Sequence, residues 1–212
     1  VLVRHGESTW NLANRFTGWY DCPLSDKGHV EAADGGKLIQ EAGIKPTMAF
    51  TSLQKRAIRT LEHVLEQTDR MWIPVTKSWK INERHYGGLT PRQGLDKQET
   101  VDKFGLDKQE TVDKFGKDQV LVWRRSYDQP PPTVDKTSEY HPSNDERYAH
   151  LEEWPEEFTE SLATTLDRVV PYFTDTIAPE IKSGKTILIA AHGNSLRALP
   201  WEFTPCSCQA SR

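Results

Sequence analysis

Thr186-Ile187-Leu188-Ile189-Ala190-Ala191-His192-Gly193-Asn194-Ser195 is the stretch on which the fold turns. Its first six residues are apolar or β-branched and carry no charge. Ser183-Gly184 makes a turn before them, and His192-Gly193 ends them. A short apolar run with these boundaries predicts a strand, the strongest in the chain. Val1-Leu2-Val3 reads as a second buried strand, ending near Arg4-His5-Gly6. It opens without Met, as though the chain started inside an element, and no signal peptide is visible. Met48-Ala49-Phe50-Thr51 predicts a third strand.

Helical patterns separate these runs. Ser25 is placed to cap a helix whose apolar positions are Val30, Ala33, Leu38 and Ala42, with Gly43 stopping it. Ala57, Leu61, Val64 and Leu65 mark a second helix. Leu162, Leu166, Val169, Val170, Phe173 and Ile177 mark a third, and Pro171 predicts a kink in it. Strands alternating with helices predict an α/β fold: a three-layer sandwich with a mostly parallel central sheet flanked by helices. Residues 124–160 lack apolar periodicity and contain Pro130-Pro131-Pro132, which predicts a long surface excursion forming a lid or rim.

The 212 residues suit one large domain, expected over 1–199. Net charge is −4 with a pI near 6.0, so charge gives no basis for nucleic-acid binding. No apolar run reaches the roughly 18 residues that span a bilayer. Three cysteines are too few for a disulfide framework, so a reducing, cytoplasmic setting is expected. Two features are irregular. Leu95 to Gly105 recurs unchanged as Leu106 to Gly116, making 95–116 a tandem 11-residue duplication. It either extends a helix by about three turns or bulges as a loop. It reflects either a recent duplication or an error in reading the gene. The segment 200–212, with Pro200 and Pro205 where a helix should follow, reads as an aberrant tail that truncates the fold at its C-terminus. Cys206-x-Cys208 has no second ligand pair nearby, so no metal is expected.

The chemistry sits at two strand ends. A neutral His5 is a nitrogen nucleophile, and the planar fork of Arg4 suits phosphate oxygens. Gly6 lets backbone N–H groups approach an anion. Taken alone, Arg4-His5-Gly6 also fits a histidine that merely ends a strand. A second His-Gly, His192-Gly193, at the end of another strand is hard to attribute to packing. One imidazole can attack while the other, when protonated, holds the transferring group. Arg56 at a helix start, Arg84, and the Arg124-Arg125 pair add to an anion funnel in an acidic chain. Glu83 is the candidate general acid/base.

The blocks Leu2-Val3-Arg4-His5-Gly6-Glu7-Ser8, Asn11, Phe16-Thr17-Gly18-Trp19, Ser25-x-x-Gly28 and Thr51-Ser52 resemble the histidine phosphatase superfamily. So do Arg56-Ala57, Asn82-Glu83-Arg84-His85-Tyr86-Gly87, Trp123-Arg124-Arg125-Ser126, Pro130-Pro131-Pro132 and Ala191-His192-Gly193-Asn194-Ser195. The resemblance is greatest to its cofactor-dependent phosphoglycerate mutase branch. It implies interconversion of 3-phosphoglycerate and 2-phosphoglycerate in glycolysis through a phosphohistidine at His5, primed by 2,3-bisphosphoglycerate. Arg4, Arg56 and His192 would bind the phosphoryl group, with Asn11 in support, and Glu83 would move the proton. Ser8, Thr17, Gly18, Arg84, Tyr86, Arg124, Arg125, Gly193 and Asn194 would hold the rest of the substrate. Ser8 favours mutase over bisphosphoglycerate synthase behaviour. A substrate lysine is implied at Lys97, with Lys108 as its duplicate, although Pro91-Arg92-Gln93 is inserted before Lys97. The implied partners are small-molecule phosphoglycerates and, in an open question of assembly, a second copy in a homodimer; no nucleic acid or membrane is implied. A pocket left open by the altered tail would instead favour bisphosphoglycerate phosphatase activity, and an inactive relative is the remaining alternative.

Overall fold

The structure, a computed structural model, describes residues 1–90, 112–113, 115–138, 141–149 and 158–199. Lys97, Lys108, Pro91-Arg92-Gln93, nearly all of the duplication, and the tail with Cys206 and Cys208 lie outside the described residues.

Four strands form one sheet: β1 (Leu2–Arg4), β2 (Met48–Thr51), β3 (Val75–Lys77) and β4 (Ile187–Ala191). Their order is β1-β4-β2-β3, and every pairing is parallel. Among the described residues, the last strand in sequence therefore lies inside the sheet, with the first strand on one side and the second on the other. All five residues of β4 are buried. Its alternation assigns them to two cores. Ile187, Ile189 and Ala191 pack with Phe50, Val169, Phe173 and Ile177 on one face. Leu188 and Ala190 pack with Ile39, Ala49, Leu61, Val64 and Leu65 on the other. Burying each large aliphatic side chain contributes roughly 2 kcal/mol. The two cores make the fold the expected three-layer α/β sandwich.

One layer contains α2 (Asp26–Glu41) and α3 (Lys55–Gln67). The other contains α5 (Leu162–Tyr172), α6 (Ala178–Lys182) and α7 (Gly193–Ala198). The short α1 (Thr9–Leu12) and α4 (Lys117–Arg125) lie in the connections. Ser25 caps α2 by accepting from the Gly28 N–H at 3.1 Å, as its sequence position predicts.

The buried face of α2 differs from the expected one. Val30 and Leu38 are 60% and 67% exposed, whereas Gly28, Ala32, Gly36 and Ile39 are buried. The reason is close approach. A Cβ on Gly28 would meet the Glu7 carbonyl oxygen at 2.0 Å, and one on Gly36 would meet Gln67 Cβ at 2.8 Å. Small residues at i, i+4 and i+8 make the contact that larger ones would prevent. In α3 the expected residues Ala57, Leu61, Val64 and Leu65 are all buried.

The helix carrying Pro171 does not break there. It runs to Tyr172 and widens into a π turn over Phe173–Ile177 before α6. The Thr174 hydroxyl lies within hydrogen-bond reach of the Val170 and Pro171 carbonyl oxygens, at 3.1 and 3.0 Å. Phe173 and Ile177 stay buried through the turn. The 124–160 region is less superficial than expected, because Val134, Ser138, His141 and Tyr148 are all buried. Tyr148 packs with Trp19 and Trp79, and its hydroxyl accepts from Asn82 Nδ2 at 2.9 Å. Among the described residues, no helix is long and apolar enough to cross a membrane.

Candidate active site

Strand register brings the two histidines together. Arg4 lies opposite Ala191, and the His5 N–H donates to the Ala191 carbonyl at 3.0 Å. His5 and His192 thus leave neighbouring parallel strands side by side at the carboxyl edge, where open α/β sheets bind ligands. Their ring centroids are 5.0 Å apart. β2 adds Ser52 one residue after Thr51, with its Oγ 2.8 Å from His192 Nε2.

Hydrogen bonds orient the His5 ring. Nδ1 is 2.7 Å from the Gly6 carbonyl oxygen, an acceptor only, so the neutral ring carries its proton on Nδ1. Nε2 is left with an unshared pair. Burial, followed by the Arg56 guanidinium, pushes the imidazole down to about 3. Burial and Arg56 also hold His192 well below the usual imidazole range. Both rings are therefore neutral in the unliganded protein near pH 7. His192 Nδ1 is buried without a hydrogen-bond partner among the described residues.

Gly6 also differs from expectation. Its N–H donates to Thr60 Oγ1 at 3.1 Å and is not free for an anion. Its lack of a side chain serves packing, since a Cβ would meet the Gly28 carbonyl oxygen at 2.2 Å.

A cavity of about 400 Å³ opens beside His5. Arg4, Asn11, Thr17, Arg56, Glu83, Tyr86, Arg124, Arg125, Gly193 and Asn194 line it, all named from sequence. Arg15, Phe16 and Arg197 also line it, although sequence reasoning did not assign them to the site. Arg197 follows Gly193 by one helical turn, a signal that was available; Arg15 carried none. The lining thus has six arginines and one carboxylate in a chain of net charge −4. Such a concentration of positive charge favours a ligand with more than one anionic group. Thr17 Oγ1 is buried without a partner among the described residues and offers a donor there.

Arg56 is almost fully buried, and its two terminal nitrogens donate to the Tyr20 and Gly18 carbonyls at 2.9 Å each. Glu83 is held at its side chain: Oε1 accepts from the Arg84 N–H at 2.8 Å and from Asn194 Nδ2 at 2.9 Å. A carboxyl oxygen of Glu83 and ring nitrogens of His5 and His192 all lie within 4.8 Å of one another. A nucleophile, a second imidazole and a carboxyl group therefore converge on one point.

Three expected ligand contacts do not face this cavity. Arg84 turns away: Nη2 donates to the Trp123 carbonyl at 3.1 Å, and its guanidinium lies 4.7 Å from the Tyr86 ring centroid. Ser8 is fully buried and caps α1 by accepting from the Asn11 N–H at 3.1 Å. The Gly18 carbonyl is occupied by Arg56 and by Gln54 Nε2. These residues support the walls. Lys97 lies outside the described residues.

This sheet edge, with a buried imidazole pair and an arginine-lined cavity, defines an α/β protein of phosphoryl-transfer type. The chain belongs to the histidine phosphatase superfamily (branch 1), whose family model matches residues 1–132. Solved structures are similar in fold. A mycobacterial glucosyl-3-phosphoglycerate phosphatase has a TM-score of 0.64 at 20% identity, covering 95% of this chain and 78% of its own. A phosphoglycerate mutase from Bacillus anthracis has a TM-score of 0.57 at 21% identity, covering 93% and 75%. A putative α-ribazole-5′-phosphate phosphatase from Escherichia coli has a TM-score of 0.57 at 20% identity, covering 92% and 74%.

Proposed function

We propose that the protein is a cytoplasmic phosphoglycerate mutase that interconverts 3- and 2-phosphoglycerate through a phosphohistidine at His5. The observation that carries this reading is the His5 ring, which is neutral, lines the cavity with Nε2 unprotonated and stands 5.0 Å from His192. Nε2 attacks phosphorus, an N–P bond forms, and the P–O bond breaks. Glu83 gives its proton to the departing oxygen and takes one back from the hydroxyl that later accepts the group. Arg4, Arg56 and the His192 ring stabilise the charge on the phosphoryl oxygens. Attack by His5 requires no metal.

The six cavity arginines and the unpartnered Thr17 hydroxyl fit 2,3-bisphosphoglycerate, a ligand with two phosphates and a carboxylate. Arg124, Arg125 and Asn194 would hold its end remote from His5. When bound, it supplies the phosphoryl group that primes His5. A homodimer is compatible with this reading, as is Lys97 as a further substrate contact.

The test is incubation with labelled 2,3-bisphosphoglycerate. An acid-labile label should appear in the wild-type protein and be absent from His5→Ala, and 3-phosphoglycerate should yield 2-phosphoglycerate. Equal labelling of His5→Ala sinks the assignment. A phosphatase outcome is the second reading, favoured by the phosphatases among the similar structures. Release of inorganic phosphate in excess of 2-phosphoglycerate would select it.

A further inference from the structure

We infer that Arg168, on the remote helix α5, is the positioning residue for Glu83, with Glu160 as its anchor. This rests on the proposed acid/base role of Glu83. Arg168 is buried and does not itself line the cavity, yet its guanidinium reaches the segment that ends in Glu83. Nη1 donates to the carbonyls of Lys80 at 2.8 Å and Asn82 at 3.1 Å, with Trp79 more distant at 3.4 Å. Nη2 donates to the Glu83 carbonyl at 3.0 Å. A single planar side chain thereby gathers the carbonyls of one tight bend.

Glu160 holds that plane from the other side. Its Oε1 accepts from Arg168 Nε at 2.6 Å and its Oε2 from Nη2 at 2.8 Å, a bidentate pair. The same Oε2 accepts from the His85 N–H at 2.7 Å, so the pair grips the chain on both sides of Glu83. Burial raises the Glu160 carboxyl, and Arg168 overrides this to hold it below the usual carboxylate range.

The remaining backbone groups of Glu83 are also occupied. Its N–H donates to Gln54 Oε1 at 2.9 Å, and its carbonyl accepts from Trp19 Nε1 at 2.7 Å. The side chain alone is directed at the cavity. Its carboxyl group must meet the oxygen that leaves phosphorus within hydrogen-bond reach, so a shift of the bend of about 1 Å is costly. Lysine in place of Arg168 keeps the charge but cannot span the carbonyls and both oxygens of Glu160.

The experiment follows the first half-reaction alone, the single-turnover release of the leaving group as His5 is phosphorylated, for two phosphomonoesters, one with an alkyl leaving group and one with p-nitrophenolate, which departs without a proton. Arg168→Lys should slow this release from the alkyl ester by about tenfold or more beyond its effect on p-nitrophenyl phosphate, in the rate at saturating ester. A variant that is merely less stable loses both in proportion to its folded fraction. The double variant Arg168→Met with Glu160→Gln leaves no buried unpaired charge and should show the same split if the single variant folds poorly. Glu83→Gln is the control. If it slows both esters equally, the role of Glu83 has failed. If Glu83→Gln shows the split and the folded Arg168 variants do not, this inference is overturned.

Discussion

The most direct test concerns the protonation of His5. The ring is buried beside Arg56, which pushes it down to about 3 from an ordinary value near 6.5. At pH 5 an ordinary imidazole is only ~3% unprotonated, whereas a ring titrating at about 3 is ~99% unprotonated. The nucleophile population should therefore be nearly constant from pH 5 to 8, where an ordinary histidine would change about thirtyfold. Two-dimensional NMR of ring carbons and nitrogens, with His5 assigned from His5→Ala, reads this directly. The expected spectrum has Nδ1 protonated, Nε2 bare, and no inflection across that range. An inflection between pH 6 and 7, or a proton on Nε2, would refute the reasoning about both burial and tautomer. Linkage gives a second readout. A histidine whose folded pKa is depressed contributes its full stability above about pH 6.5 and loses it as pH falls toward the folded value. His5, His192 and His85 are all lowered, the last to about 4, in each case first by burial. At pH 5 His5 and His85 each cost about 2 kcal/mol relative to neutral pH, a large share of a typical margin of roughly 5–15 kcal/mol, and His192 acts in the same direction.

Acid unfolding followed by circular dichroism should accordingly begin between pH 6 and 4; stability unchanged from pH 7 to 4 would contradict it. Gly87→Ala places a side chain at φ +55 and 2.1 Å from the Pro132 carbonyl oxygen. It should cost at least about 2 kcal/mol in urea denaturation, and a loss within 0.5 kcal/mol, roughly the scatter of surface changes, would disprove the close approach. Asn194→Ala removes the 2.9 Å donor to Glu83 Oε1 and should lower kcat/KM on the order of 10–100-fold without a matching fall in stability. Arg197→Ala should raise KM for a doubly anionic substrate more than for a monoanionic ester; equal effects would separate this arginine from substrate binding.

Much of the architecture was legible locally. The six-residue run before His192 reads as an interior strand because it is short, rich in β-branched residues and bounded by Gly184 and Gly193, which arbitrates against a buried helix. Ser25 as a cap and the stripe of α3 were equally plain, since capping and a one-sided apolar pattern are short-range properties. The face of α2 was not. Val30 and Leu38 are the larger apolar residues, yet close approach of the Glu7 backbone to Gly28 and of α3 to Gly36 turns the small-residue face inward, because contact distance outweighs side-chain hydrophobicity there. β3 has Val75 as its one apolar residue, followed by Thr76 and Lys77, so no apolar run marks it. Arg84 and Arg168 illustrate the same limit in the site. Both are arginines near functional segments, and only long-range geometry sends one to the Trp123 carbonyl and the other to the bend before Glu83.

From residue types and spacing alone follow an alternating α/β chain, two His-Gly strand ends, a carboxylate block and an arginine supply. These are properties of short segments, encoded in contiguous residues. Tertiary structure alone decided that the strand ends are neighbours in register, that both rings are neutral, and which arginines face the cavity. Those outcomes depend on burial and on partners far away in sequence, as His5 depends on Ala191 and Arg56, and Glu83 on Arg168.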